Sequence, residues 1–485
     1  MTRSEAVARL ADARMYIGGA WVPASDGATL PSIDPATEEE VARFPDATEA
    51  DVEAAGRAAQ EAAPAWGALS PSQRGERLRQ LAEAIRAHED ELAQIDTVDT
   101  GNPLAAMLDD VRGGVREVLM FAGLATEIKA ASVSNGQDQF AYERREPYGV
   151  VGRITAYNHP LKYAAGKTAA ALVAGNAVVV KPSEQTALST LRLAELTEGI
   201  LPPGVFNVVT GTGPGAGAAL AATPLVPRVA YTGGVPAGKA VLRAGVEQLK
   251  HVTLELGGKN PMIVFPDVDP AKAARAAVKG MNFARSQGQS CQSNSRVFVH
   301  DAVYEDFLQA LLPAVAALRV GDPLEPANDL GPVTYAGHYE RVLGYIRAGI
   351  DEGATLRAGG AQRAERGYYV QPTVFTDVEH GMTIATEEIF GPVMSVLRWS
   401  DYETVVAQAN DTSFGLTANI WTNDLGLAHR TAHRIQAGYV WVNGIGKRVP
   451  GTPFGGYKQS GLGKESSIEE IFEFTRHKVV AVSLD

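Results

Sequence analysis

The chain has 485 residues, 45% hydrophobic and 21% charged, with a formal net charge of −12 and one cysteine. That length exceeds a single ordinary core and calls for two or three domains, while the balance excludes global disorder. An acidic chain without a basic stripe excludes nucleic acid as a partner, and a lone cysteine excludes an internal disulfide or a cysteine-cluster metal site.

No apolar run approaches the roughly 20 residues that span a bilayer. The N-terminal MTRSEAVARLADARMY lacks the apolar stretch of a signal peptide. The expectation is a soluble cytoplasmic protein in a reducing compartment.

The first 130 residues read as a short strand-and-turn lead followed by helices. Ser70-Pro71 starts a helix with proline at its first position, and Leu78, Leu81, Ile85, Leu92 and Ile95 recur at helical spacing along it. Residues 133–147 lose that period and read as an extended or hairpin excursion. From Gly149 short apolar strands alternate with helices: strand 150–154, helix 161–173, strand 177–181, helix 186–198, strand 206–209, a short helix 215–222 and strand 228–231. This alternation predicts a doubly wound, Rossmann-like parallel sheet with its ligand crevice at the carboxyl ends of the strands. A second alternation, with strands at 261–265, 296–299, 394–398 and 439–443, predicts a second α/β domain. The apolar tail 475–484 reads as a closing strand that needs a partner, and the 133–147 excursion of this subunit or a neighbour is the candidate.

The chemistry centres on Cys291, which follows the polar run Ser286-Gln287-Gly288-Gln289-Ser290. A thiol is the strongest side-chain nucleophile near neutral pH when its surroundings favour the thiolate, although a lone cysteine can also be a small buried hydrophobe. Glu255, at the end of an apolar strand before Gly257 and Gly258, has the setting of a general base with a raised pKa. Asn158 ends the first strand of the parallel unit, where its amide can donate to an oxyanion or cap the next helix. No second histidine stands near His159 at ligand spacing, so no metal is expected. Lys181 and Glu184 end the second strand, where a dinucleotide fold holds ribose hydroxyls and where a solvated ion pair is equally at home. Two glycine turns, one containing Gly213 and one running from Gly233 through Gly234 to Gly238, each follow a strand and open a helix that can face a pyrophosphate.

Seven motifs in order resemble the aldehyde dehydrogenase family over nearly the whole chain. They are Asn-x-Pro at 158–160, Lys-Pro-Ser-Glu at 181–184, Thr-Gly-Gly at 232–234, Glu-Leu-Gly-Gly-Lys at 255–259, Gly-Gln-Ser-Cys at 288–291, Glu-Glu-Ile-Phe-Gly-Pro at 387–392 and Pro-Phe-Gly-Gly-Tyr-Lys-x-Ser-Gly at 453–461. The resemblance implies a Rossmann-like cofactor domain (1–132 and 148–256), a catalytic domain (257–465) and a β arm (133–147 and 466–485) that assembles a homodimer or homotetramer. It implies NAD as cofactor, with NADP possible, and a small-molecule aldehyde as substrate. Cys291 would attack the carbonyl, Asn158 and the Cys291 backbone N–H would hold the oxyanion, and Glu255 would activate the water that hydrolyses the thioester. Lys167 and Glu465 would relay protons. Lys181, Glu184, Gly213, Gly233, Gly234, Gly238, Gly257, Glu388 and Phe390 would bind the cofactor.

The chain departs from that pattern at the substrate wall. Tyr157 and His159 replace a frequent Trp and Phe around Asn158, Gly234 replaces a phosphate-binding Ser, and Lys162, Tyr163 and Gly166 replace bulky apolar residues. Gly166 implies a wider tunnel, lined by Tyr157, His159, Tyr163 and Phe454, and hence a bulky or aromatic aldehyde. The alternatives are a semialdehyde or other polar aldehyde, favoured by Lys447 and Arg448, and a cofactor-independent thiol hydrolase.

Overall fold

The computed structural model describes residues 7–10, 12–135, 138–362 and 366–483. Met1–Ala6 and Ala11 of the N-terminal reading, residues 136 and 137 of the 133–147 excursion, and Leu484 and Asp485 of the expected tail strand and arm lie outside the described residues.

The run Ala177-Val178-Val179-Val180-Lys181 is buried at every position, the pattern of a strand covered by helices on both faces. It sits inside an eight-stranded sheet of order Gly461–Leu462, His251–Glu255, Arg228–Thr232, Val150–Ile154, Ala177–Lys181, Phe206–Val208, Met15–Ile17, Ala20–Val22. The five strands from His251–Glu255 to Phe206–Val208 run parallel. Chain order reverses between Val150–Ile154 and Arg228–Thr232, which makes a switch point with a crevice beyond the strand ends.

A second sheet orders Thr355–Ala358, Thr373–Thr376, Val393–Trp399, Arg296–His300, Pro261–Val264, Thr417–Trp421 and Tyr439–Val442, all parallel except its first pair. Two smaller antiparallel sheets complete the chain. In one, the tail strand Thr475–Ser483 pairs with Gln139–Pro147 of the same chain, and Ser132–Asn135 forms the far edge. Thr29–Asp34 and Glu39–Pro45 form the other.

Two helical expectations are corrected. The apolar period from Leu78 to Ile95 belongs to two helices, Pro71–Ala87 and Glu89–Thr100, separated at His88 with φ −117° and ψ 21°. Three acids, Glu89, Asp90 and Glu91, fill the first turn of the second helix and favour a new start there. The first helix begins as expected, with Ser70 and Gln73 bonding each other's backbone N–H ahead of Pro71. The expected helix 215–222 is a wide π-type turn, Gly213–Gly217, running into a short α-helix, Ala218–Ala222.

Candidate active site

The carboxyl ends of the first sheet face the segments that lead into the second. Val150–Ile154 runs on to Asn158, Ala177–Lys181 to Glu184, Arg228–Thr232 to Gly233 and Gly234, and His251–Glu255 ends on Glu255 itself. From the other side come the Cys291 loop, ahead of Arg296–His300, and Glu388 and Phe390, ahead of Val393–Trp399.

The Cys291 loop is shaped by two left-handed residues, Gln287 (φ 51°) and Gly288 (φ 72°). A β-carbon at 288 would collide with the Gly391 carbonyl, so glycine lets the loop close onto the Glu388–Gly391 turn. Asn260 Nδ2 donates to the carbonyls of Cys291 and Ser293, at 2.8 Å each, and pins the loop from behind. Burial, and then the charge of Glu255, push the Cys291 thiol well above its usual range, with Lys167 opposing.

Glu255 is 5% exposed, and its Oε1 has no hydrogen-bond partner among the described residues. Burial raises its pKa, while the Lys167 ammonium 3.5 Å away pulls it down. Lys167 lies over the Tyr163 ring and donates to Thr232 Oγ1 at 2.9 Å and to Glu465 Oε2 at 2.6 Å. The other Glu465 oxygen accepts from Arg153 at 2.8 Å. Two cations outweigh burial and hold Glu465 well below the usual carboxylate range.

Asn158 is buried and directs Nδ2 to the Gln289 carbonyl at 2.9 Å, which ties it to the loop two residues ahead of Cys291. One N–H of that amide remains for another acceptor. His159 Nδ1 meets Asp110 Oδ2 at 2.5 Å, and its ring packs edge-on against Tyr163. Tyr157 turns instead to Phe390, Tyr335 and His338. Phe454 exchanges backbone hydrogen bonds with Glu465 and carries the Arg448 guanidinium 4.4 Å above its ring. The width expected from Gly166 is not there: the Glu117 carboxylate fills the place of the missing side chain. Around it stand Arg448, 3.6 Å from Glu117, Lys162, 3.9 Å from Asp110, and Arg285, which also binds Asp110. The wall is ionic.

On the other flank, Lys181 Nζ and Glu184 Oε2 pair at 3.1 Å, and Glu184 Oε1 accepts from the Gly213 N–H at 3.3 Å. Gly234 caps the helix Val235–Ala244. A β-carbon at Gly213 or Gly234 would meet nothing closer than 3.8 Å, so both present open backbone. Gly233 lies against the Tyr231 ring and Gly238 against Leu256, both in packing places. Glu388 Oε1 accepts from the Gly258 N–H at 2.8 Å and leaves no room for a side chain at Gly257; burial pushes its pKa up to about 7. Phe390 is left-handed (φ 57°), with its carbonyl accepting from His338 Nε2 at 2.7 Å. Among the described residues no group of three or more His, Cys, Asp or Glu side chains could hold a metal ion.

The family model of the aldehyde dehydrogenase family matches residues 21–480. The chain belongs to the aldehyde dehydrogenase family. An aldehyde dehydrogenase of Bacillus cereus, solved as its NAD+ complex, is 40% identical and superimposes with a TM-score of 0.96 over 99% of this chain and 98% of that one. HpcC from Thermus thermophilus is 39% identical, with a TM-score of 0.96 over 100% of this chain and 96% of that one. A 3,6-anhydro-L-galactose dehydrogenase in complex with NAP is 35% identical, with a TM-score of 0.95 over 97% of this chain and 100% of that one.

The family motifs do not account for several residues that complete the site. Arg153 is a charge inside a fully buried strand, and that contrast was its signal. His338 and Arg341, on the helix Ala336–Asp351, reach the carbonyls of Phe390 and Glu388. Asp110 and Glu117 lie seven residues apart on the helix Leu104–Leu124, a spacing that puts both on the face toward Pro160–Val173.

Proposed function

We propose that the chain oxidises an aldehyde to its carboxylic acid with NAD, and that NADP is a poorer substitute. The observation that carries this reading is the meeting of the only thiol with Glu255 at the mouth of a dinucleotide-type crevice. The crevice suits the cofactor: Gly213 and Gly234 leave backbone open, and the Lys181–Glu184 pair stands at the strand end. Lys181 and Glu184 would hold the adenosine ribose, the helix that begins after Gly234 the pyrophosphate, and Glu388 the other ribose, with Phe390 beside the nicotinamide. Bound NAD supplies the hydride acceptor.

Cys291 attacks the carbonyl carbon as thiolate, and its proton passes to Glu255. The free N–H of Asn158 and the Cys291 backbone N–H meet the oxyanion where its charge develops. After oxidation the carbon remains on Cys291 as a thioester. Once Glu255 has released the thiol proton to solvent, it takes a proton from water, which attacks that carbon and releases the acid and the thiolate. A CoA-acylating outcome is disfavoured by Glu255, which gives water the advantage.

The ionic wall supports an aldehyde with a polar or charged tail over a bulky aromatic one, because Glu117 fills the width an aromatic would need. The seven-stranded unit supports the catalytic domain drawn over 257–465, although Gly461–Leu462 returns to the first sheet. The three-stranded sheet, with Val133 and Val479 each 64% exposed, supports assembly as a dimer or tetramer.

An NADH-absorbance screen of alkyl, aromatic, amino and carboxylated aldehydes of matched length tests activity and tail together. Polar-tailed aldehydes are expected to give the highest kcat/KM. No NADH from any aldehyde, combined with no thermal stabilisation by NAD, would hand the site to a thiol hydrolase.

A further inference from the structure

Arg153 is 1% exposed and stands in the strand Val150–Ile154, opposite Val180 on one side and Ala230 on the other. A guanidinium in such a place is costly to desolvate without a partner. Its hydrogen-bond partner among the described residues is Glu465, 2.8 Å away, and its Nε has none. Glu465 is therefore held between two cations, with Arg153 on Oε1 and Lys167 on Oε2 at 2.6 Å. Lys167 in turn lies 3.5 Å from Glu255.

We infer that Arg153 is a positioning residue that holds and neutralises Glu465, so that the charge of Lys167 remains available to Glu255 and Cys291. The inference rests on the proposed roles of Cys291 and Glu255. Every charged group around the cluster fits it. Glu470, on the helix Ile468–Glu473, is pushed up to about 8, first by burial and then by the charge of Glu465, which favours its neutral form. Tyr163 lies under Lys167 and is pushed up by burial and by Cys291, so it stays neutral too. Arg448 acts on Glu255 from the substrate side and donates to Ser466 Oγ at 3.1 Å. Glu388 acts on Cys291 from the cofactor side. Arg228, one strand over, is paired with Glu473. What remains is two cations, Arg153 and Lys167, against two anions, Glu465 and Glu255. Removing Arg153 leaves an excess anion, which raises the pKa of every acid in the cluster; removing the charge of Glu465 lowers it.

The lone cysteine makes this measurable without aldehyde or NAD. Iodoacetamide alkylates Cys291 of the full chain at a rate that follows its thiolate fraction. Arg153→Met is expected to move the midpoint up by about one pH unit, Glu465→Gln to move it down, and Arg153→Lys to stay near wild type. The double variant R153M/E465Q, which removes both charges, returns to the wild-type midpoint. The acid limb of kcat shifts in the same order. Coincident midpoints for R153M and wild type, or for R153M and R153K, overturn the inference. Should R153M not fold, the sign of the E465Q shift decides alone, an upward or absent shift overturning it. A thiol that titrates in the expected order in a chain producing no NADH would reject the proposed function and leave the role of Arg153 standing.

Discussion

Glu117 and Gly166 divide one volume between two helices: the Glu117 carboxylate lies where a β-carbon at position 166 would stand. The glycine is a packing requirement of the Leu104–Leu124 and Pro160–Val173 pair rather than an opening in the wall.

Gly166→Leu is therefore expected to destabilise the fold by about 1–3 kcal/mol or more, as overpacking a tight contact does. It also displaces a carboxylate from beside Arg448. Urea unfolding measures the cost. A variant as stable as wild type would mean that Glu117 swings clear freely and that the wall is plastic.

Cofactor choice turns on the Lys181–Glu184 pair. Burial alone would raise Glu184, but the Lys181 ammonium outweighs it and keeps the carboxylate ionised. An anion at the ribose end repels a 2′-phosphate, so kcat/KM should favour NAD. Glu184→Gln removes the repulsion and leaves Lys181 free, and the NAD:NADP ratio is expected to fall about tenfold or more, worth about 1.4 kcal/mol. An unchanged ratio would place the discrimination elsewhere.

Much of this architecture was legible in the sequence because local signals and tertiary outcome agree. Ala177–Lys181 carries three valines in a row, and it is a central strand buried on both faces. Glu255 ends a strand and Asn158 follows one by four residues, and strand ends in a doubly wound sheet face the crevice. What stayed illegible depends on partners far away in the chain. Arg153 stands out as a charge in an apolar strand, but its partner is not visible until Glu465, 312 residues later, closes on it. Gly166 reads as empty space until Glu117 arrives from another helix. The break at His88 had a signal, the acids at 89–91, but the continuing apolar period concealed it.

Asp99 predicts a pH dependence of stability. Burial pushes it up to about 7, against hydrogen bonds from Ser32 Oγ at 2.6 Å and the Leu188 N–H at 3.1 Å. An acid near 4 in the unfolded chain and near 7 in the folded one binds its proton more tightly when folded. Its contribution is fully present at acid pH and is lost as pH rises from about 4 through about 7, at roughly 1.4 kcal/mol per unit within that window. Asp99→Asn cannot ionise. Its unfolding free energy relative to wild type should improve steadily between pH 5 and 7, by a few kcal/mol at most. A constant difference across that range would show that Asp99 is ionised in the fold throughout.

The sharpest separation is between the two chemical halves. Cys291→Ala removes the only thiol and is expected to abolish both aldehyde oxidation and ester hydrolysis. Glu255→Gln acts differently, because the amide keeps the size of the side chain and cannot take a proton from water. Thioester hydrolysis should slow by about 10²–10⁴, while attack by Cys291 continues. Mixed with NAD and aldehyde, the variant should give a burst of NADH, up to one equivalent per site, and then turn over very slowly. The burst itself will be slower than in wild type, since Glu255 also receives the thiol proton, although losing its charge, which pushes the thiol up, offsets part of that. Rapid mixing with absorbance at the NADH band reads both phases. Steady turnover of E255Q at the wild-type rate, or oxidation by C291A, would remove the proposed mechanism.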